Sequence, residues 1–195
     1  MCSRSHRPGR DDTLLVRLAP TIDPAEFAEA ERSALRLDGD CLPLGLTVVP
    51  VDVPVGPAVR AASLAGAAAR YDLVVEQLGA AWVHGVIDEL PMPLPLALDV
   101  RTSRRTKAVQ PPPREARFET ADAPRLGGVR VTTPLKTAFD LLRLPDVPTP
   151  AAVTAAAALL RLEGLQPAIA AALAHLQPPC PNKQRGIERL AALRP

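Results

Sequence analysis

Apolar residues recur at helical spacing soon after the polar start of the chain. Asp23 is placed to cap a helix, Pro24 suits its first position, and Glu26 can complete a capping box. The apolar stripe that follows consists of Phe27, Ala30, Ala34 and Leu37. The pattern therefore predicts a helix that starts at Asp23 and ends near Gly39.

Branched apolar residues then alternate with Pro and Gly from Cys41 to Val53, which is typical of a short two-stranded hairpin. A helix followed by a hairpin is the second half of a winged-helix unit. The first half is missing or degenerate, because the run from Leu14 to Pro20 is too short for the other helices. We interpret residues 1–22 as a disordered or frayed tail and residues 23–56 as a degenerate winged-helix-like unit.

Short helix and strand patterns follow one another in the rest of the chain, residues 57–195. Pro57 opens a second helix that is expected to continue through Ala69. The segment from Asp72 to Gly85 indicates a buried strand and then a short helix. Three further strands are predicted at Leu96 to Thr102, Ala116 to Thr120 and Gly128 to Thr132.

The clearest boundary in the sequence lies at Thr133. A strand ends there, Thr133 can cap a helix and Pro134 takes its first position, so a helix is predicted up to Pro145. An Ala-rich helical hairpin that turns near Gly164 and a last short helix follow. Together these elements predict an α+β fold, in which a small mixed sheet packs with helices and a helical hairpin lies near the C-terminus.

Composition narrows the class of function. The formal net charge is only +2 over 195 residues, so any affinity for nucleic acid must come from a local patch. Aromatic residues make up 3% of the chain and are scattered, which argues against a stacking platform for single strands. The longest apolar run, Ala151 to Leu160, is shorter than the ~18 residues of a membrane span. With no apolar signal segment at the start, a cytoplasmic location without membrane contact is expected.

Sequence motifs for catalysis are missing. A nucleophile elbow, a phosphate-binding Gly loop, an HExxH pair and zinc-type Cys pairs do not occur. The three cysteines lie far apart, and His84 and His175 have no carboxylate or Cys partner nearby in the sequence. We therefore expect no enzyme activity, no catalytic residue, no metal and no cofactor. The two histidines are interpreted as surface or packing residues, and Trp82 as a core anchor.

A basic stretch between two predicted strands is the first candidate for contacts with other molecules. Its six basic residues accompany one acid, Glu115, and they are Arg101, Arg104, Arg105, Lys107, Arg114 and Arg117. Such a set is suited to bind the phosphates of nucleic acid. The simpler interpretation is a solvated basic loop.

The polar face of the helix after Thr133 is the second candidate. It carries two cations, one carboxylate and a hydroxyl within three turns, contributed by Lys136, Thr137, Asp140 and Arg143. This face is suited to grip a partner protein, or an anionic ligand near the helix N-terminus. The simpler interpretation is an exposed ion-pair face, which would contribute little to stability.

Two segments taken together resemble a known family. Residues 79–85 (GAAWVHG) and residues 127–141 (GGVRVTTPLKTAFDL), with the basic strand–loop–strand between them, resemble the AbiEi antitoxins of type IV toxin–antitoxin systems in the form found in high-GC bacteria. Weaker matches at residues 37–40 (LDGD) and 185–190 (RGIERL) extend the resemblance over most of the chain.

The resemblance implies a regulatory protein of phage defence by abortive infection. Such an antitoxin opposes a cognate nucleotidyltransferase-like toxin, and many members also repress their own operon by binding operator DNA through an N-terminal winged helix. Here residues 57–195 would hold the antitoxin core, whereas only the helix and hairpin of residues 23–56 remain of a winged helix. Some relatives carry a nuclease-like domain after the Arg-Gly motif, and because this chain ends at Pro195 we expect that domain to be absent.

Two other functions remain open at this point. One is a DNA-binding transcriptional autorepressor that acts through the basic loop and the remnant of the wing. The other is an orphan module related to nuclease-fused homologues, now structural or without a function.

Overall fold

The structure is a computed structural model in which the following residues are described: 21–22, 27–102, 112–143, 150–177 and 180–193. In this part of the chain the fold is α+β, with two small sheets and helices packed against them, so the predicted fold class is confirmed. Of the predicted tail, residues 1–22, only Thr21 and Ile22 are described, and Ile22 is not frayed, because it forms two backbone hydrogen bonds with Val48. The rest of the tail and the predicted helix start at residues 23–26 lie outside the described residues.

The described residues of the N-terminal part form the helix α1 (Glu29–Leu37) and a two-stranded antiparallel sheet of β1 (Cys41–Leu44) and β2 (Thr47–Pro50). The helix begins later than predicted, because Ala28 has an extended backbone and its N–H donates to the Glu31 carboxylate at 3.0 Å. The apolar stripe predicted for this helix is not buried. Its last member, Leu37, is 86% exposed, since the main neighbour of α1 is β1 alone.

A five-stranded mixed sheet forms the centre of the molecule. Its strands are β3 (Val74–Val75), β4 (Leu96–Asp99), β5 (Arg114–Ala116), β6 (Arg125–Leu126) and β7 (Val129–Val131), in the order β5-β4-β3-β7-β6. β3 runs parallel to β7, β4 runs parallel to β5, and the other neighbours are antiparallel. The strand predicted at residues 116–120 lies earlier, because β4 ends at Asp99 opposite Ala116 and leaves the later residues without a partner strand.

Short helices cover one side of this sheet. They are α2 (Pro57–Ala62), α3 (Ala65–Ala68), a 3₁₀ turn (Ala69–Tyr71) and α4 (Gln77–Val83). The single helix predicted from Pro57 to Ala69 is therefore wrong. It breaks at Ser63, whose hydroxyl donates to the Arg60 carbonyl at 2.7 Å, and the next residue, Leu64, turns fully into the core.

Four helices build the second half of the core: α5 (Pro134–Arg143), α6 (Pro150–Leu162), α7 (Pro167–His175) and α8 (Lys183–Ala192). α5 is central, since it packs against α4, α6 and α8. α6 and α7 turn near Gly164 as predicted, but they meet at 94° rather than lying antiparallel, because α6 packs on α5 and α7 packs on α8. Within the described residues no single helix is long and apolar enough to cross a bilayer; α6 and α7 reach that length and composition only as this bent pair.

Candidate functional site

A pocket of about 970 Å³ lies beside the edge strand β5. Its walls come from β5 and the residues after it, from α5, and from the segment around Pro181 that precedes α8. The basic side chains that line it are Arg101, Arg114, Arg117, Lys136 and Arg143. The fold thus brings members of both candidate segments, which the sequence analysis treated as two surfaces, around one pocket.

The polar face of α5 is buried, so the interpretation as an exposed ion-pair face is wrong. Lys136 is 6% exposed, Arg143 is 8% exposed, and Thr137 and Asp140 are fully covered. The amphipathic pattern was correct, but chain segments distant in the sequence, including β5 and the residues around Pro181, close over this face. Lys136 and Arg143 reach the pocket, whereas Thr137 and Asp140 do not line it.

Asp140 organises the inner wall of the pocket. Its Oδ1 atom accepts a hydrogen bond from Lys136 Nζ at 3.1 Å and another from Arg143 Nε at 2.7 Å. Its Oδ2 atom is buried and has no hydrogen-bond partner among the described residues. Arg143 is held at a second point, where Nη1 donates to the Pro181 carbonyl at 3.2 Å. One carboxylate is therefore shared by two cations that both reach the pocket.

Glu76 is a second buried carboxylate, and the sequence analysis missed it. It follows β3 directly, is 1% exposed, and accepts hydrogen bonds from Arg114 Nε at 2.9 Å and from Arg114 Nη2. Burial by itself would lower the pKa of Arg114, but the hydrogen bonds and charge of Glu76 outweigh it, so the pKa lies above its ordinary value. Arg114 is thus a permanently charged and fixed part of the wall. The only signal in the sequence was an acid placed directly after a buried apolar run.

The remaining basic residues differ in their surroundings. Arg101 pairs with Glu119 at 2.9 Å, and both side chains are about half exposed. Arg117 is exposed and forms no ion pair with the residues that the structure describes. Arg104, Arg105 and Lys107 lie outside the described residues. Arg101 and Arg117 therefore form the accessible rim of the pocket, while Lys136, Arg143 and Arg114 form its inner wall.

A separate ion-pair group fixes the other end of the sheet. Asp99, at the end of β4, is buried and accepts a hydrogen bond from Arg130 Nη2 at 2.9 Å. Asp72 pairs with Arg125 at 2.6 Å and lies 3.9 Å from Arg130. None of these four residues lines the pocket, so their role is to connect β4 and β7 across β3.

Thr137 and His84 join α4, α5 and the end of β7. Thr137 Oγ1 lies 2.7 Å from Thr132 Oγ1 and 3.2 Å from the Thr132 carbonyl oxygen. The same carbonyl accepts a hydrogen bond from His84 Nε2 at 2.8 Å. The interpretation of His84 as a packing residue fits this position, and Trp82 is a buried core residue with the Arg60 guanidinium 5.0 Å from its ring centre.

Titration of His84 makes stability depend on pH. Burial lowers its pKa below the ordinary value of 6.5, against smaller opposing effects of the Thr132 hydrogen bond and Glu163. The unfolded chain therefore binds a proton at His84 near pH 6.5, whereas the folded chain binds it only at lower pH. The contribution of neutral His84 to the free energy of unfolding is complete above pH 6.5. Below that pH it falls, by at most about 1.4 kcal/mol per pH unit. When the pH is lowered from about 7.5 to about 5.5, we expect the free energy of unfolding to fall less for His84→Gln than for the unmodified chain. Urea unfolding at the two pH values measures this difference. Equal losses would mean that His84 titrates normally.

The described residues contain no group of three His, Cys, Asp or Glu side chains placed to hold a metal ion. Their two cysteines, Cys41 and Cys180, are free thiols, and Cys180 lies at the pocket. Comparison of the chain with protein-family models, curated proteins and solved structures finds no match.

Proposed function

We propose that this chain is a non-enzymatic, antitoxin-like protein of an AbiE-type, type IV toxin–antitoxin system and opposes a nucleotidyltransferase-like toxin. The observation that carries the proposal is that residues 79–85 and 127–141, on which the resemblance rests, form one packed unit. α4 packs on α5, and His84 donates to Thr132 between them. The two segments that resemble the family are distant in the sequence but pack against each other in one core. This supports a relationship of the whole packed unit to the family.

The pocket is the proposed contact surface for the toxin. Its rim carries the exposed cations Arg101 and Arg117, and its inner wall is rigid because Arg114 and Arg143 are each held by a buried carboxylate. A fixed, positively charged concave surface is suited to an acidic surface of a partner. The N-terminal helix α1 and the two-stranded sheet are proposed as the remnant of a degenerate winged helix.

Growth rescue tests this proposal. We expect co-expression of the chain with a panel of nucleotidyltransferase-type toxins to restore colony formation for the cognate toxin. Arg101→Glu combined with Arg117→Glu should lower rescue by about tenfold or more, which corresponds to roughly 1.4 kcal/mol of lost binding. Both residues are exposed, and loss of the surface pair of Arg101 with Glu119 costs at most about 1 kcal/mol, so the fold should be retained.

The matched control carries Arg161→Glu, a charge reversal at an exposed position of α6 away from the pocket. It should rescue as well as the unmodified chain. If the folded, unmodified chain rescues growth from none of the toxins, the antitoxin function is wrong. If it rescues and the rim variant rescues equally well, the contact surface lies elsewhere.

A DNA-binding autorepressor is the second candidate, because the exposed cations Arg101 and Arg117 stand at one rim. This function requires affinity for operator DNA that falls steeply as salt is raised. It is less favoured on the described residues, since Lys136 and Arg143 are almost fully buried and Arg114 is paired with Glu76. Arg104 and Arg105, on which this function also depends, lie outside the described residues. The orphan module related to nuclease-fused homologues would show neither growth rescue nor DNA affinity.

A further inference from the structure

We infer that the pocket beside β5 is a binding site for a small phosphate monoester of mononucleotide size, whose phosphate is held by Lys136 and Arg143. The inference uses the surface that the proposed function uses, but it concerns a ligand of the isolated chain and holds with or without a toxin.

The balance of charge at the inner wall is the first reason. Lys136 and Arg143 are almost fully buried and share Asp140 Oδ1 as their carboxylate partner. Glu76 cannot balance them, because Arg114 already occupies both of its oxygens. Among these almost fully buried groups, two cations thus share one carboxylate, which leaves an excess of one positive charge; the other acids that line the pocket, Glu115 and Glu119, are exposed. Such a charge is costly, and an anion bound beside it offsets the cost.

The donors available at this wall suit a phosphate. A Lys ammonium has three N–H donors, and Lys136 uses one of them on Asp140. Arg143 directs Nε to Asp140 and Nη1 to the Pro181 carbonyl, and its Nη2 forms no hydrogen bond with the described residues. Both bonds of Arg143 fix the guanidinium before a ligand arrives. Charged donors of this kind form short, strong hydrogen bonds to phosphate oxygens.

The volume of the pocket and the burial of its two inner cations favour a small ester over a nucleic-acid backbone. Its volume of about 970 Å³ exceeds what a phosphate ion fills and lies at the upper end of the usual range for organic ligands, roughly 300–1,000 Å³. Duplex DNA is bound by cations that project from the surface, whereas Lys136 and Arg143 are recessed. A terminal phosphate on a compact organic group can reach them, and the exposed Arg101 and Arg117 then lie beside the rest of the ligand.

The test is calorimetric titration of the full chain with adenosine monophosphate, adenosine and inorganic phosphate as probes. We expect the monophosphate to bind at least about tenfold more tightly than the nucleoside, as charged hydrogen bonds to the phosphate require. Lys136→Met should weaken monophosphate binding by about tenfold or more. This variant leaves Asp140 paired with Arg143 at 2.7 Å, so no carboxylate is orphaned. Arg161→Met removes one charge outside the pocket and should leave binding unchanged.

Three results would overturn the inference. They are equal affinity for monophosphate and nucleoside, equal losses in Lys136→Met and Arg161→Met, and a 5′-phosphorylated oligonucleotide that binds more tightly than the monophosphate. The first comparison uses the unmodified chain, so it decides the matter even if Lys136→Met fails to fold. Monophosphate binding without growth rescue would support this site and contradict the antitoxin function, and rescue without monophosphate binding would do the reverse.

Discussion

Replacement of Asp140 by Asn is expected to lower the free energy of unfolding by about 3 kcal/mol. The change keeps the size of the side chain and removes its charge, so two cations at the inner wall lose their shared partner. Lys136 and Arg143 are 6% and 8% exposed, so most of each charged side chain is shielded from water and only a small part of it faces the pocket. Breaking a buried ion pair by removing one partner costs about 3–5 kcal/mol, because the other charge stays buried. The lower figure applies because the amide oxygen of Asn can still accept one hydrogen bond.

Urea unfolding followed by fluorescence measures this effect, since Trp82 is the single tryptophan and is buried beside α2 and the sheet. Lys136→Met is the matched comparison. It removes a cation rather than the carboxylate, leaves the neutral Asp140–Arg143 pair, and should cost less than about 1.5 kcal/mol. A loss below about 1 kcal/mol for Asp140→Asn would mean that the two cations are hydrated in the folded protein.

Elements with strong local signals could be predicted from the sequence. The start of α5 is an example, because Thr133 Oγ1 accepts a hydrogen bond from the Lys136 N–H at 3.3 Å and Pro134 occupies the first position, as its sequence indicates. The apolar runs of β3 and β7 likewise specify buried strands. These features are determined by residues close together in the sequence, so the sequence alone is enough to predict them.

Features that depend on distant partners could not be predicted. Arg114 and Glu76 are 38 positions apart, and they meet because β4 pairs with β3 on one side and with β5 on the other. The polar face of α5 has the pattern of an exposed face, since its covering segments come from other parts of the chain. Dependence on distant partners also explains why the apolar stripe of α1, which was expected to be buried, is exposed. Its apolar stripe indicates a buried face, but among the described elements chiefly β1 lies against it, and Leu37 stays exposed.

Gly127→Ala is expected to destabilise the protein by about 3 kcal/mol. Gly127 lies in the turn between β6 and β7 with φ of +55°, where a side chain costs about 1–2 kcal/mol. A Cβ atom there would also overlap the Ala58 carbonyl oxygen and lie 2.8 Å from the Ala62 nitrogen. Both atoms belong to the backbone around α2, which cannot move aside as a side chain would, and forcing extra volume into packed structure adds about 1–3 kcal/mol.

The adjacent glycine separates these two contributions. Gly128 has φ of +83°, but a Cβ atom there would meet nothing within 4 Å. Gly128→Ala should therefore cost only the conformational part, about 1 kcal/mol, in the same urea unfolding experiment. Because α2 also carries Arg60, whose guanidinium lies over the Trp82 ring, Gly127→Ala should in addition change the fluorescence of the folded state, and Gly128→Ala should not. Equal losses of stability and unchanged fluorescence in both variants would show that α2 does not pack directly on this turn, and the close approach of α2 to the sheet would then be wrong.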